Sequence, residues 1–299
     1  MASTTWLEIV DANVRERGEL VIGIDPSLAD LPQFFERGDG HWISRYVDFL
    51  LDIVETRAGF VKFQSAYFEA GGLAGLSALS AGMKRAKAAG MGVILDAKRG
   101  DIGATATAYA KAYLTPAEEG GSGDFEADCL TINPLMGPDT LAPFVDCAVR
   151  HGKGLFVLCR TSNPGAGWIQ DKMAGNRAIS DRVADLIGGF APPGADGLSP
   201  VGAVIGATVP NEGRRLRQLL PRSIILAPGL GAQGGDPAAI NSLRGSRPGD
   251  LLVPVSRGLT RVEDRTLSQD AYRNLILERM QQFEDVLTYD YAVSQAASG

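Results

Sequence analysis

Between positions 92 and 110 the chain reads GVILDAKRGDIGATATAYA. An apolar run, Val93-Ile94-Leu95, ends in Asp96, Lys98 and Asp101, with Arg99 among them. Charges crowded at the mouth of a core strand are costly unless they are paired or at work. Two further ionisable groups have similar settings: Asp25 at the end of LVIGID and Lys62 inside FVKFQ. Residues two apart on a strand face the same way, so Asp96 and Lys98 share a face, and Asp101 follows in the turn. Lys98 is then bracketed by two carboxylates. Such neighbours hold both lysines as cations, because each gains Coulomb energy only when charged. Charged lysines are poor nucleophiles and poor Schiff-base formers. They suit the stabilisation of an anion and its later protonation. A carboxylate beside them repels any substrate carboxylate. The chemistry that fits is carbanion formation, including formation by loss of CO2. A structural salt-bridge cluster competes for any single pair; several such groups on neighbouring strand ends favour a site.

A second stretch, APGLGAQGGDP (227–237), contains Gly229, Gly231 and Gly234 as GxGxxG after a strand-like run. A dinucleotide fingerprint belongs after the first strand and needs an acid on the ribose, whereas the next run here ends in Val255-Ser256-Arg257. The alternative is a phosphate loop: glycines for close backbone approach, the Gln233 amide, and Arg257 as a bidentate cation. A third polar segment, Thr161-Ser162-Asn163-Pro164-Gly165, offers hydroxyls and an amide to a heterocycle, or forms an ordinary Asn-Pro turn.

The elements that must carry these groups are short β-rich runs separated by helical patterns. Strands are expected at 20–25, 60–64, 92–98, 129–134, 154–160, 201–208, 223–228 and 251–257. Helices are expected at 41–57, 73–89, 103–114, 139–150, 175–187, 211–220, 236–243 and 268–287. About eight strand–helix units in strict alternation imply a parallel sheet, closed as a (β/α)8 TIM barrel, with an open doubly wound sheet as the other option. In such a barrel the C-terminal strand ends carry the chemistry, and Asp25, Lys62, Asp96 and Lys98 fall there. No linker divides residues 1–299, so one domain is expected, with loop insertions at 115–124 and 191–199.

Composition sets outer limits. The 299 residues are 45% hydrophobic and 21% charged, with a net charge of −6. An acidic chain of this kind argues against nucleic-acid or anionic-membrane binding, but leaves room for a local phosphate site. The only histidines are His41 and His151, which leaves little for a zinc site or a Ser-His-Asp triad. Three cysteines, two of them in apolar runs, fit unpaired thiols in a reducing compartment. With no apolar leader and no membrane-length run, the expected location is the cytoplasm.

Together these residues resemble the orotidine 5′-phosphate decarboxylases, in their second, bacterial-type subfamily. DAKRGDIGATA carries that family's Asp-x-Lys-x-x-Asp signature and PGLGAQGGDP its phosphate loop. GIDPS, FVKFQ, TINPLMG and TSNPGA fall in the expected order, and the likeness runs from Val21 to Leu259. The resemblance implies that Lys98 protonates C6 of the pyrimidine and that Asp96 lies near the departing carboxylate. It implies that Lys62 binds the ribose and holds the Asp96 charge, and that Asp25 contacts a ribose hydroxyl. It also implies a homodimer in which Asp101 and Thr105 reach into the partner's site. Ser162 would read the pyrimidine edge, and Pro228, Gln233 and Arg257 would form the pyrimidine–phosphate wall. No metal and no organic cofactor are implied. Other readings are a Mg2+-dependent sugar-phosphate decarboxylase or aldolase on a related barrel, and a nucleotide-binding barrel without catalysis.

Overall fold

The computed structural model describes residues 4–36, 38, 40–190, 197–207, 210–231 and 237–289. Eight parallel strands close into a barrel: β1 (Leu20–Ile24), β2 (Phe60–Gln64), β3 (Gly92–Arg99), β4 (Cys129–Ile132), β5 (Gly154–Arg160), β6 (Ser199–Ile205), β7 (Ser223–Leu226) and β8 (Leu251–Val255). Each strand pairs with its sequence neighbours, and β1 meets β8 at the seam, with Leu20 beside Val253. The expected (β/α)8 barrel is therefore present, and its strands lie within a few residues of the apolar runs.

Eleven helices are described: α1 (Trp6–Arg17), α2 (Trp42–Val54), α3 (Ser65–Ala70), α4 (Gly72–Ala88), α5 (Gly103–Leu114), α6 (Pro138–Arg150), α7 (Ile179–Gly189), α8 (Pro210–Leu219), α9 (Pro237–Asn241), α10 (Arg257–Thr260) and α11 (Gln269–Leu287). In α2 the buried stripe Ile43, Tyr46, Val47, Leu50, Leu51 and Val54 recurs at helical spacing and covers the outside of the sheet. Outward strand residues such as Ile22, Phe63, Leu95 and Val157 form the other half of that layer.

The helix expected at 175–187 starts later, at Ile179. Gly175 adopts φ 74° and turns the chain into a small hairpin in which Met173–Ala174 pairs with Arg177–Ala178. The loop at 115–124 begins buried at Thr115 and is otherwise mostly exposed, with one helical turn at Ala117–Glu119. Of the loop expected at 191–199, residues 191–196 lie outside the described residues, and Ser199 already belongs to β6.

Alternation along each strand fills the barrel in layers. The lower inward layer is apolar: Val21, Phe60, Ile94, Cys129, Phe156, Ile224 and Leu252. From below, α1 closes this end. Its Thr5 cap and Glu8 satisfy each other's backbone amides, with Thr5 N donating to Glu8 Oε2 at 2.7 Å. Trp6, 1% exposed, packs edge-on against Phe60 and Phe156, each with ring centroids 6.1 Å away. Gly154 sits so close to the indole that a Cβ there would lie 2.3 Å from a ring carbon. Truncating an aromatic in such packing costs about 3–5 kcal/mol.

Candidate active site

The same alternation carries the inward rows upward from apolar to polar. Val21 and Gly23 lead to Asp25; Phe60 leads to Lys62 and Gln64; Ile94 leads to Asp96 and Lys98; Cys129 leads to Thr131. On the opposite side Leu158, Val204, Leu226, Pro228, Pro254 and Ser256 continue their own rows. The polar ends of the first rows (Asp25, Lys62, Gln64, Asp96, Lys98 and Thr131) and these opposite residues line one cavity of about 510 Å³ at the C-terminal mouth. Apolar walls and a few convergent polar groups are the general composition of a small-molecule site.

Register places the charges side by side. Gly23 pairs with Lys62, and Gln64 pairs with Asp96. Lys62 Nζ stands 3.1 Å from Asp96 Oδ2 and 3.9 Å from Asp25 Oδ1. Lys98 Nζ stands 2.6 Å from Asp96 Oδ1. Lys62 and Asp96 are only 6% and 7% exposed, whereas the Lys98 side chain is 44% exposed and reaches into the mouth. Burial alone would raise the Asp96 pKa. Lys62 and Lys98 outweigh it, with hydrogen bonds from Lys98 and Thr131, and lower it to about 2. Burial likewise pulls Lys62 down, but the Asp96 and Asp25 carboxylates reverse the sign and raise it. Asp96 is thus an anion and Lys62 a cation at neutral pH. Asp25 Oδ1 is buried without a hydrogen-bond donor among the described residues.

Asp101 does not bracket Lys98 as expected. Among the described residues Asp96 is the one carboxylate within ion-pair distance of Lys98. Asp101 instead accepts from the Ile102 backbone N–H at 2.8 Å, and Thr105 is exposed; neither lines the cavity of its own chain. The strand has ended by then, so the two-residue alternation that orients Asp96 and Lys98 no longer applies. Arg99 points outward on the opposite parity. It pairs with Glu69 and lies 5.7 Å and 5.8 Å from the ring centroids of Tyr109 and Tyr113.

Across the cavity, Thr161, Ser162 and Asn163 follow β5 and line the wall with Gln170. Gln170 Oε1 accepts from Thr161 N at 2.8 Å, and Asp171 takes a two-pronged grip on Arg160 at 2.8 Å and 2.9 Å. Pro228, Gly229, Leu230, Arg257 and Gly258 complete the rim. Gly229 and Gly231 hold φ of 129° and 85°, a turn that favours glycine. Gln233 lies outside the described residues. Arg257 is exposed and has no carboxylate within ion-pair distance among the described residues, so its charge is available to a ligand. Gln64, Thr131 and Gln170 were not singled out in the sequence. Strand parity, extended along each run, would have found the first two.

A parallel barrel that gathers two lysines around a buried carboxylate, with an arginine on the same cavity that has no carboxylate partner among the described residues, can hold an anionic ligand and stabilise a developing negative charge. Residues 19–272 match the family described as Orotidine 5′-phosphate decarboxylase / HUMPS family. The chain belongs to this family. It is 39% identical over 264 residues to the orotidine 5′-phosphate decarboxylase of Rhodopirellula baltica, covering 85% of this chain and 87% of that one. It is 40% identical over 245 residues to that of Salinispora arenicola, covering 82% and 85%. The solved structure of Leishmania donovani OMP decarboxylase superposes with a TM-score of 0.71 at 30% identity, covering 93% of this chain and 98% of that one.

Proposed function

We propose that this chain is a carboxy-lyase that converts orotidine 5′-phosphate to UMP and CO2 through the Lys62–Asp96–Lys98 array. The observation that carries the reading is the packing of both amines onto one buried carboxylate at the cavity mouth. The C6–carboxylate bond breaks, CO2 leaves, and the electron pair stays on C6. The Lys98 ammonium stabilises that pair and then gives C6 its proton; solvent later restores the ammonium. Asp96 lies beside the departing carboxylate and fixes both lysines. Asp25, with its unfilled buried acceptor, and Lys62 take ribose hydroxyls. Ser162 reads the pyrimidine edge, while Pro228, Gln233 and Arg257 form the wall toward the phosphate.

No metal ion or organic cofactor enters this scheme. Among the described residues no three His, Cys, Asp or Glu side chains cluster in a way that could hold a metal ion. The Mg2+-dependent alternative is separated by experiment. EDTA-treated protein should lower the ultraviolet absorbance of orotidine 5′-phosphate as fast as untreated protein does. Activity that vanishes with EDTA and returns with Mg2+ would favour the metal-dependent alternative; no absorbance change in either sample would remove the decarboxylase reading.

The chain acts as a homodimer whose sites are completed across the interface. Asp101 and Thr105 stand outside their own cavity beside exposed Ile102, and Leu135 and Met136 are exposed after β4. Gly100 lies against Asn133 and Met136, which brings the turn after β3 beside the turn after β4. Exposed apolar side chains on neighbouring turns favour an interface there. Equal mixtures of inactive Lys98→Ala and Asp101→Ala proteins should recover about a quarter of wild-type activity once subunits exchange, since half of the dimers then hold one intact site. Exchange without recovery would place Asp101 outside the partner's site.

We read the whole chain as one barrel domain of the cytoplasm. The cysteines Cys129, Cys147 and Cys159 are unpaired, and among the described residues no helix is long and apolar enough to cross a membrane.

A further inference from the structure

We infer that Thr131 is the positioning residue that holds Lys98 in its working conformation, an inference that rests on the decarboxylase reading of the site. Strands β3 and β4 are out of step at the charged strand end. Leu95 pairs with Leu130 and Arg99 with Ile132, so four steps along β3 oppose two along β4. The additional residues form a bulge, which re-aims side chains and removes backbone groups from the ladder. Lys98 lies in this bulge with φ 49°, the one described non-glycine residue with positive φ. An L residue there is strained and needs surroundings that impose the conformation.

Thr131 supplies them. It is 1% exposed, on the adjacent strand, opposite the bulge. The Lys98 backbone N–H, without a ladder carbonyl, donates to Thr131 Oγ1 at 2.9 Å. The same hydroxyl donates to Asp96 Oδ1 at 2.8 Å. Lys98 Nζ donates to that Oδ1 at 2.6 Å. A closed circuit results: Lys98 amide to Thr131 hydroxyl, Thr131 hydroxyl to Asp96 carboxylate, and Asp96 carboxylate back to the Lys98 ammonium. One hydroxyl has one proton and here both accepts and donates, so each member fixes the direction of the next bond. Lys62 on the other carboxylate oxygen and Asp25 beyond it complete the charges facing this circuit.

Thr131→Val keeps the branched shape and removes the hydroxyl, leaving the Lys98 amide and one face of Asp96 unmatched. The expected result is a kcat lower by about 10- to 100-fold with KM within about threefold, because the lost interaction orients the proton donor rather than binding substrate. Thr131→Ser, which retains the hydroxyl, should restore most of kcat. Carboxyl 13C NMR gives a second readout without substrate: the Asp96 titration should move upward in Thr131→Val and return in Thr131→Ser. A folded Thr131→Val protein with near-wild-type kcat and an unmoved Asp96 titration overturns the assignment, as does a serine variant no better than valine. Should Thr131→Val fail to fold, Thr131→Ala is read by the same two measurements. A wild-type protein inert toward orotidine 5′-phosphate would sink the decarboxylase reading instead, while the NMR titration would still decide the role of Thr131.

Discussion

Replacing Lys98 by Ala should lower kcat by about 10⁴-fold or more while UMP still binds. The magnitude follows from two losses at one atom. A positioned general acid contributes roughly 10²- to 10⁴-fold, and a preorganised cation at a developing negative charge contributes roughly 10²- to 10³-fold. Binding survives because Asp25, Lys62, Ser162 and Arg257 line the cavity independently of the Lys98 side chain. The exchange adds little backbone strain of its own, since lysine already occupies the left-handed conformation and alanine meets the same barrier there. Single-turnover kinetics beside calorimetric titration with UMP separate the two effects. A kcat within tenfold of the parent would take Lys98 out of the proton transfer. A collapse of UMP affinity in parallel would make it a binding group.

Arg257→Ala should weaken UMP binding by about 10²- to 10⁴-fold and leave the affinity for uridine, which lacks the phosphate, close to that of the parent. The guanidinium is exposed on the cavity rim beside Gly229 and Gly258, with no protein carboxylate to satisfy it among the described residues. Hydrogen bonds between charged partners contribute roughly 1.5–3 kcal/mol each, and a bidentate pair makes two. Remote binding energy of this kind also supports turnover, so orotidine 5′-phosphate should lose kcat/KM by at least the same factor. Equal losses for UMP and uridine would show that Arg257 shapes the cavity rather than holding the phosphate.

Much of this site could be read before any coordinates. Apolar runs at regular spacing located all eight barrel strands, because strands buried on both faces leave near-continuous hydrophobic sequence. The rule that chemistry sits at the C-terminal strand ends then pointed to Asp25, Lys62, Asp96 and Lys98, and alternation gave Asp96 and Lys98 a common face; all four line one cavity. The reading failed where regular periodicity ends. Asp101 sits past the last strand residue, where spacing no longer says which way a side chain points. The bulge at Lys98 leaves no mark in composition, so the pairing of its amide with Thr131 stayed hidden. The helix α1 was missed because Trp6, Val10 and Asn13 are its only buried residues, too sparse a stripe to stand out. The short α3 follows β2 without a break, and no turn residue announces it.

That first helix has a consequence for how the chain is made. Everything α1 rests on is translated after it: Phe60, then Phe156, and finally Gly249, against which Val10 lies. Its backbone is also tied to a late position, with Trp6 N donating to Gly152 O at 2.7 Å. Trp6 must therefore stay unsheltered until these later residues have followed it from the ribosome. Its seat is complete only when β8 arrives to zip the cylinder shut against β1, so α1 docks late although it precedes every strand in the chain.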